Sequence, residues 1–121
     1  MIKHLLLVGL VALSLVASCR PLAPGEGPLA ETGYSMSRTI IAALEKYHDD
    51  NGKYPQHLDE LVPKYLEANP QRDMKSEIGY LYRPENNGNS YGLRFSYSNF
   101  LWTDECAYDP KEKKWVCGGA F

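Results

Sequence analysis

Residues 43–55 have the sequence ALEKYHDDNGKYP, and this stretch determines where a long helix ends. Upstream of it and within it, apolar side chains recur at spacings of three and four, which is typical of an amphipathic helix. They are Met36, Ile40, Ile41, Leu44 and Tyr47. Gly52 can adopt the left-handed conformation that ends a helix, and Pro55 prevents the helix from resuming. The sequence therefore predicts a helix from Tyr34 to about Asn51.

A shorter second helix is predicted over residues 57–62, where Leu58, Leu61 and Val62 share one face and Pro63 follows. Residues 70–75 are predicted to form a polar loop, because they contain few side chains that a core could bury.

The apolar period then changes from about four to two, which indicates β-strands. Two alternating runs, separated by the turn-forming sequence NNGN at residues 86–89, contain Ile78, Tyr80 and Tyr82, then Tyr91, Leu93, Phe95 and Tyr97. With the C-terminal segments they predict about four short antiparallel strands packed against the long helix. The predicted fold class is α+β.

The N-terminus has the features of a targeting segment. An apolar run over residues 5–16 has the length of a signal h-region and is shorter than the about 20 residues that span a bilayer. Residues 16–19, VASC, place an aliphatic and two small residues directly before Cys19. This pattern resembles the lipobox of bacterial lipoproteins, which implies cleavage before Cys19 and acylation of its sulfur and its new amino group. The alternative is an ordinary secretory signal with a chance cysteine near its cleavage site.

The lipobox resemblance also predicts the location and the domain organisation. Two or more acyl chains anchor a protein stably, so membrane lipid is an expected partner of Cys19. Arg20 stands where enterobacterial lipoproteins of the inner membrane carry Asp, which favours the outer membrane, facing the periplasm. Residues 1–18 would be the signal peptide, 19–32 the lipidated cysteine with a Pro/Gly linker, and 33–121 the folded domain. Such a linker would let the domain stand clear of the lipid surface.

With Cys19 assigned to lipid, Cys106 and Cys117 remain as a pair in an oxidising compartment, where a disulfide is the default. An antiparallel hairpin that pairs Tyr108 with Trp115 places the two cysteines opposite each other. The alternatives are a redox dithiol or a metal-binding pair, but the cysteines lack a C-x-x-C spacing and a nearby histidine.

Length and charge exclude several classes of protein. The 121 residues have room for one small domain, which excludes a multidomain machine. The apolar content is concentrated in the first eighteen residues, which excludes a polytopic membrane protein. The formal net charge is -2 and no basic cluster is longer than Lys113 and Lys114, so nucleic acid is not an expected partner.

Residues 43–55, with Leu58 and residues 61–62, resemble the globular domain of the major pseudopilin of bacterial type II secretion. In that family an A-L-x-x-Y helix end and a D-N-G-x-Y-P corner precede a short helix with an L-V ending and an antiparallel sheet. The resemblance covers residues 38–82 and implies a pilin-like fold. Pseudopilins begin with a prepilin cleavage site and a hydrophobic assembly helix, whereas this chain has a lipobox, so polymerisation is not implied. The family's calcium loop does not carry over, because Asp104, Glu105 and Asp109 lack a matching spacing.

The sequence contains no constellation that carries a reaction. His48 and His57 lie near acidic residues but have no H-x-x-x-H or H-E-x-x-H partner, so they are interpreted as surface histidines. No G-x-S-x-G elbow and no phosphate-binding loop is present. We therefore expect no enzyme activity, cofactor or metal. The paired acids, Asp49 with Asp50 and Asp59 with Glu60, require a three-dimensional structure to interpret.

Aromatic residues are concentrated in the C-terminal half, where they suit both strands and binding surfaces. Packing between helix and sheet is the favoured interpretation. If a contact surface exists, alternation places Tyr80 and Tyr82 on one face and Trp102 near the sheet edge.

We expect a non-enzymatic, lipid-anchored envelope protein that contacts an envelope protein partner as an accessory of secretion or pilus-type assembly. The alternative is an envelope ligand-binding lipoprotein or hydrolase with a site of acids and aromatics, and a third option is a purely structural role.

Overall fold

A computed structural model describes residues 20–120. In these residues one α-helix, α1 (Pro28–Asn51), packs on a four-stranded antiparallel sheet. The strands are β1 (Ile78–Glu85), β2 (Ser90–Ser98), β3 (Thr103–Asp109) and β4 (Lys114–Ala120). Each strand pairs with the next along the chain, so the sheet is a meander. The predicted α+β class, with a helix on about four antiparallel strands, is confirmed. The predicted signal peptide and Cys19 lie outside the described residues.

The helix α1 ends where the sequence predicts and begins earlier. Gly52, with φ of 76°, follows its last residue and donates its backbone N–H to the carbonyl oxygen of His48 at 2.8 Å. At the other end Pro28 occupies the first turn, a position that suits proline because its missing N–H is not needed there. Residues 28–32, predicted as linker, are therefore helical, and Ala30 is fully buried.

The segment between α1 and β1 forms two short 3-10 turns. The helix predicted over residues 57–62 is a single 3-10 turn, Leu58–Leu61, in which both leucines are buried. The carboxylate of Glu60 accepts a hydrogen bond from the backbone N–H of His57 at 2.8 Å, which caps this turn. A second turn, Pro70–Arg72, lies inside the predicted polar loop.

Two clusters of buried side chains lie between α1 and the sheet. The larger cluster is at the C-terminal half of the helix and contains Ile40, Ala43, Leu44, Leu58, Leu61, Leu66, Tyr82, Tyr91 and Leu93. The smaller cluster is at the N-terminal half and contains Ala30, Ile78, Phe95, Tyr97 and Cys106. Residues just after Gly27 thus contribute to the core.

The hairpin of β3 and β4 has the pairing register that the sequence predicts. Tyr108 lies opposite Trp115, and Cys106 lies opposite Cys117. The two sulfur atoms are 2.08 Å apart, which is a disulfide bond. This bond joins two adjacent strands beneath the first turns of α1.

Candidate functional site

The acidic residues near the end of α1 hold the following segment against the helix. Asp50 accepts a hydrogen bond from the hydroxyl of Tyr65 at 2.6 Å, which lowers the pKa of this carboxyl group. Glu45 accepts one from Tyr54 at 3.1 Å, and burial together with this carboxylate raises the pKa of Tyr54 to about 12. Asp50 and Glu45 thus serve as hydrogen-bond acceptors for tyrosines.

Asp59 connects the two 3-10 turns. It accepts hydrogen bonds from Nε of Arg72 at 2.8 Å and from Nδ2 of Asn69 at 2.9 Å. These bonds, that from Arg72 first, hold the pKa of the Asp59 carboxyl group well below its usual range. Asp59 is thus an ion-pair partner, and its neighbour Glu60 caps a turn.

The two histidines near these acids have packing and capping roles. The His48 ring stacks on the ring of Tyr54 with centroids 4.4 Å apart. His57 precedes the Leu58–Leu61 turn and interacts with Glu60. Among residues 20–120, no three His, Cys, Asp or Glu side chains lie close enough together to hold a metal ion.

Asp104, Glu105 and Asp109, the acids near the position of the pseudopilin calcium loop, have different surroundings. Asp104 is buried, and its Oδ1 atom has no hydrogen-bond partner within the described part of the chain. Glu105 pairs with Arg94 at 3.1 Å on the other face of the sheet. Asp109 accepts backbone hydrogen bonds within the β3–β4 turn. The three side chains do not converge on a common point.

Tyr80 and Tyr82 were predicted to share a candidate contact surface, but Tyr82 is buried. Its side chain is 8% exposed, and its hydroxyl donates a 2.7 Å hydrogen bond to the carbonyl oxygen of Pro55. Tyr80 lies on the same face of β1 and is half-buried, which raises its pKa to about 12. This face of the strand packs toward α1, so alternation placed the two tyrosines together correctly but on the inner face. Trp102 lies apart from them, in the connection after β2.

The segment before α1 is attached to the sheet. The backbone N–H of Gly25 donates a 2.9 Å hydrogen bond to the hydroxyl of Tyr97. The hydroxyl of Tyr34 donates to the carbonyl oxygen of Gly25 at 3.2 Å and lies 3.1 Å from the sulfur of Cys117. The folded domain therefore begins at about Gly25, and only residues 20–24 separate Gly25 from Cys19.

The connection between β2 and β3, residues 99–102, is called here the hairpin tip. The backbone groups of Asn99 and Trp102 exchange two hydrogen bonds, of 2.7 and 3.2 Å, which leaves Phe100 and Leu101 at the apex. Phe100 is 96% exposed, Leu101 73% and Trp102 48%. Three consecutive exposed apolar side chains on a small domain are typical of an interaction site.

The hairpin tip and the attached N-terminal segment lie at the same end of the domain. This end contains the start of β1, the end of β2, the start of β3 and the end of β4, since Ile78 pairs with Tyr97 and Thr103 pairs with Ala120. Ala30, in the first turn of α1, belongs to the core cluster at this end. Gly25 is bonded to Tyr97, which precedes Phe100 by three residues.

An open groove runs between α1 and the start of β1. It has a volume of about 370 Å³, within the range of small-molecule sites. Its surface is mostly apolar, with Met36, Leu66, Pro70 and Tyr80 among the residues that line it, although Glu67 and Asp73 also line it.

Sequence reasoning missed two features of this end of the domain, the attachment of Gly25 and the exposure of Phe100 and Leu101. The available signal for the second was the loss of alternation at residues 100–102, three consecutive apolar residues between two strands. The attachment of Gly25 had no sequence signal, because it depends on hydroxyl groups that only the folded chain brings close.

No family model, curated protein or solved structure matches this chain. Over residues 20–120 we find no helix with both the length and the apolar character needed to cross a bilayer.

Proposed function

We propose that this protein is a non-enzymatic, lipid-anchored component of the bacterial cell envelope that acts by contact. The observation that carries the proposal is the short distance between the lipobox-like sequence and the folded domain. Cys19 lies six residues before Gly25, whose backbone is bonded to Tyr97. Six extended residues span about 20 Å. Acyl chains on Cys19 would hold the domain at the lipid surface, and not clear of it.

The contact function is supported by the hairpin tip and by the pseudopilin resemblance. The tip offers exposed aromatic and aliphatic side chains, which are enriched at contact surfaces. The residues that carry the resemblance are the end of α1, Gly52 and the corner at Pro55. We therefore propose an accessory role in secretion or pilus-type assembly, at the outer membrane on its periplasmic side, with an envelope protein as partner. A shared fold does not by itself convey activity, so this role depends on finding that partner.

The test is the intact mass of the protein from bacterial membranes, compared between the parent chain and a Cys19→Ala variant. We expect a parent species that begins at Cys19 and carries acyl mass, and a variant that is lost from the membrane fraction. Ser18→Ala is the matched control, because it keeps a small residue before the cysteine and should be processed like the parent. An unmodified parent, or one with an uncleaved N-terminus, would contradict the proposal.

The groove beside α1 supports a second candidate, binding of a small apolar ligand. Met36 lines the groove, whereas Met74 is exposed outside it. If this candidate is correct, the apolar dye N-phenyl-1-naphthylamine should bind saturably, and Met36→Glu should abolish binding while Met74→Glu should not. Equal binding to the two variants would argue against it.

A further inference from the structure

We propose that the hairpin tip inserts into the lipid interface of the membrane in which Cys19 is anchored. Phe100, Leu101 and Trp102 would enter the boundary between headgroups and acyl chains, so that the domain contacts the membrane at two places. This inference rests on the proposed function, because it takes Cys19 as the lipid anchor.

The backbone of the tip is suited to an environment poor in water. A peptide group that enters the lipid without a hydrogen-bond partner is costly. In the tip, Asn99 and Trp102 satisfy each other's N–H and carbonyl groups, and the N–H of Phe100 donates to the side-chain oxygen of Asn99 at 3.0 Å. Five of the eight backbone N–H and carbonyl groups of the tip are thus paired inside the turn. The turn therefore limits the number of backbone groups that lose hydrogen bonds to water when the apolar side chains are buried.

The side chains of the tip are those expected at a membrane interface. Residues 96–103 carry no formal charge. The carboxylate of Asp104, which follows them, is buried and accepts a hydrogen bond from the side chain of Asn99 at 3.5 Å. Trp is enriched at the headgroup level, where its ring is apolar and its N–H remains hydrated. Trp102 is the half-exposed member beside the apex, whereas Phe100 and Leu101 project furthest. The charge pattern predicts insertion into neutral lipid, with no requirement for anionic headgroups.

The position of the anchor identifies the lipid as the occupant of this surface. Because Gly25 is bonded to Tyr97, the point at which the N-terminal segment is attached to the sheet lies at the end that carries the tip. The about 20 Å reach of residues 19–25 keeps that end near the bilayer at all times. A tethered surface meets its target at a high effective concentration, whatever the abundance of the protein. A second copy of the chain has no comparable advantage.

The experiment uses the acylated mature protein, which begins at Cys19, purified from membranes and reconstituted into phosphatidylcholine vesicles. The chain has two tryptophans, so a Trp115→Phe background leaves Trp102 as the single reporter. We expect its emission to shift to shorter wavelength in vesicles and to be quenched by lipids brominated near the headgroup end of their acyl chains. Trp115 packs edge-on against Phe95, a contact that phenylalanine can also make.

The tip is tested with Phe100→Ser combined with Leu101→Ser in the same background. We expect this variant to lose most of the quenching and the blue shift while it still floats with the vesicles. Val116→Ser is the matched control, since Val116 is 71% exposed on β4 and lies outside the tip. It should keep the parent signal. Thermal unfolding of both variants checks that the domain is folded.

Flotation and quenching separate the failure of this inference from failure of the proposed function. A parent that floats with acyl mass but shows no quenching overturns the insertion of the tip and leaves the anchor intact. A parent that carries no acyl mass and does not float overturns both. A blue shift that depends on protein concentration and occurs without vesicles would assign the tip to a second copy of the chain and overturn the lipid assignment.

Discussion

Gly33 allows α1 to approach the sheet closely. It is buried on the helix, and a Cβ atom at this position would overlap the ring of Phe95, coming within 2.9 Å even of its Cγ. Alanine is the better helix former by about 1 kcal/mol. The overlap should outweigh this gain, since overpacking of a core costs about 1 to 3 kcal/mol. We expect Gly33→Ala to lower the free energy of unfolding by about 1 to 2 kcal/mol, measured by urea denaturation.

Two further variants test this explanation. Gly118→Ala is the control, because a Cβ atom there meets nothing within 4 Å, and its stability should remain close to that of the parent. Adding Phe95→Leu to Gly33→Ala removes part of the ring that the Cβ atom would overlap, so the double variant should lose less than the sum of the single losses. Additive losses would show that Gly33 acts through something other than its contact with Phe95.

Asp59 makes part of the stability dependent on pH. Its hydrogen bonds from Arg72 and Asn69 lower its pKa in the folded state below the ordinary value of 3.8. A lowered folded-state pKa contributes stability that is fully present above the unfolded value and is lost as the pH falls through the folded value. We expect Asp59→Asn to be less stable at neutral pH and to lose less stability than the parent between pH of about 4 and about 2.

Thermal unfolding across that range measures the effect, and Glu77→Gln provides the control. Glu77 is an exposed acid that takes part in none of the salt bridges found in residues 20–120. Its variant should follow the parent profile. Parallel acid profiles for parent and Asp59→Asn would contradict the role given to Asp59.

At the level of elements, the sequence predicts the ends of helices and strands best where the local residues alone determine them. The end of α1 depends on Gly52 and Pro55, and the β1–β2 turn depends on the asparagines and glycine of residues 86–89. The start of α1 was predicted six residues late, because Pro28 and Gly27 are equally typical of a linker. Its true start depends on the burial of Ala30 against the sheet, a tertiary contact with no periodic signal.

The disulfide stabilises the element formed by β3 and β4. Cys106 and Cys117 are 11 residues apart, and closing a loop of that length stabilises the fold by about 3 kcal/mol in the chain-entropy model. We expect reduction with dithiothreitol to lower the free energy of unfolding by about this amount, measured by urea denaturation. Cys106→Ala combined with Cys117→Ala should no longer respond to the reductant. An unchanged unfolding transition of the parent after reduction would contradict this prediction.

At the level of the whole molecule, the change from helical to strand period was enough to predict the α+β class. The candidate site was not predictable in the same way. Trp102 was placed near the sheet edge and is half-exposed, whereas Tyr82, which was proposed for the same contact surface, is buried. Alternation tells which residues share a face and does not tell which face α1 covers. The hairpin tip and the N-terminal segment lie at the same end of the domain because, in the meander, β2 runs back toward the start of the helix.

The length of the segment between Cys19 and Gly25 should therefore control how often the hairpin tip contacts the membrane. Effective concentration falls roughly as the −3/2 power of tether length, so inserting ten Gly/Ser residues after Arg20 should lower the ratio of inserted to free tip about fourfold. Quenching of Trp102 in the Trp115→Phe background measures this ratio. A variant with serine in place of Pro21 and Pro24 changes the stiffness of the tether but not its length. Its quenching of Trp102 should stay near that of the parent. If the long tether leaves quenching unchanged, the attachment of Gly25 to Tyr97 does not orient the domain on the membrane.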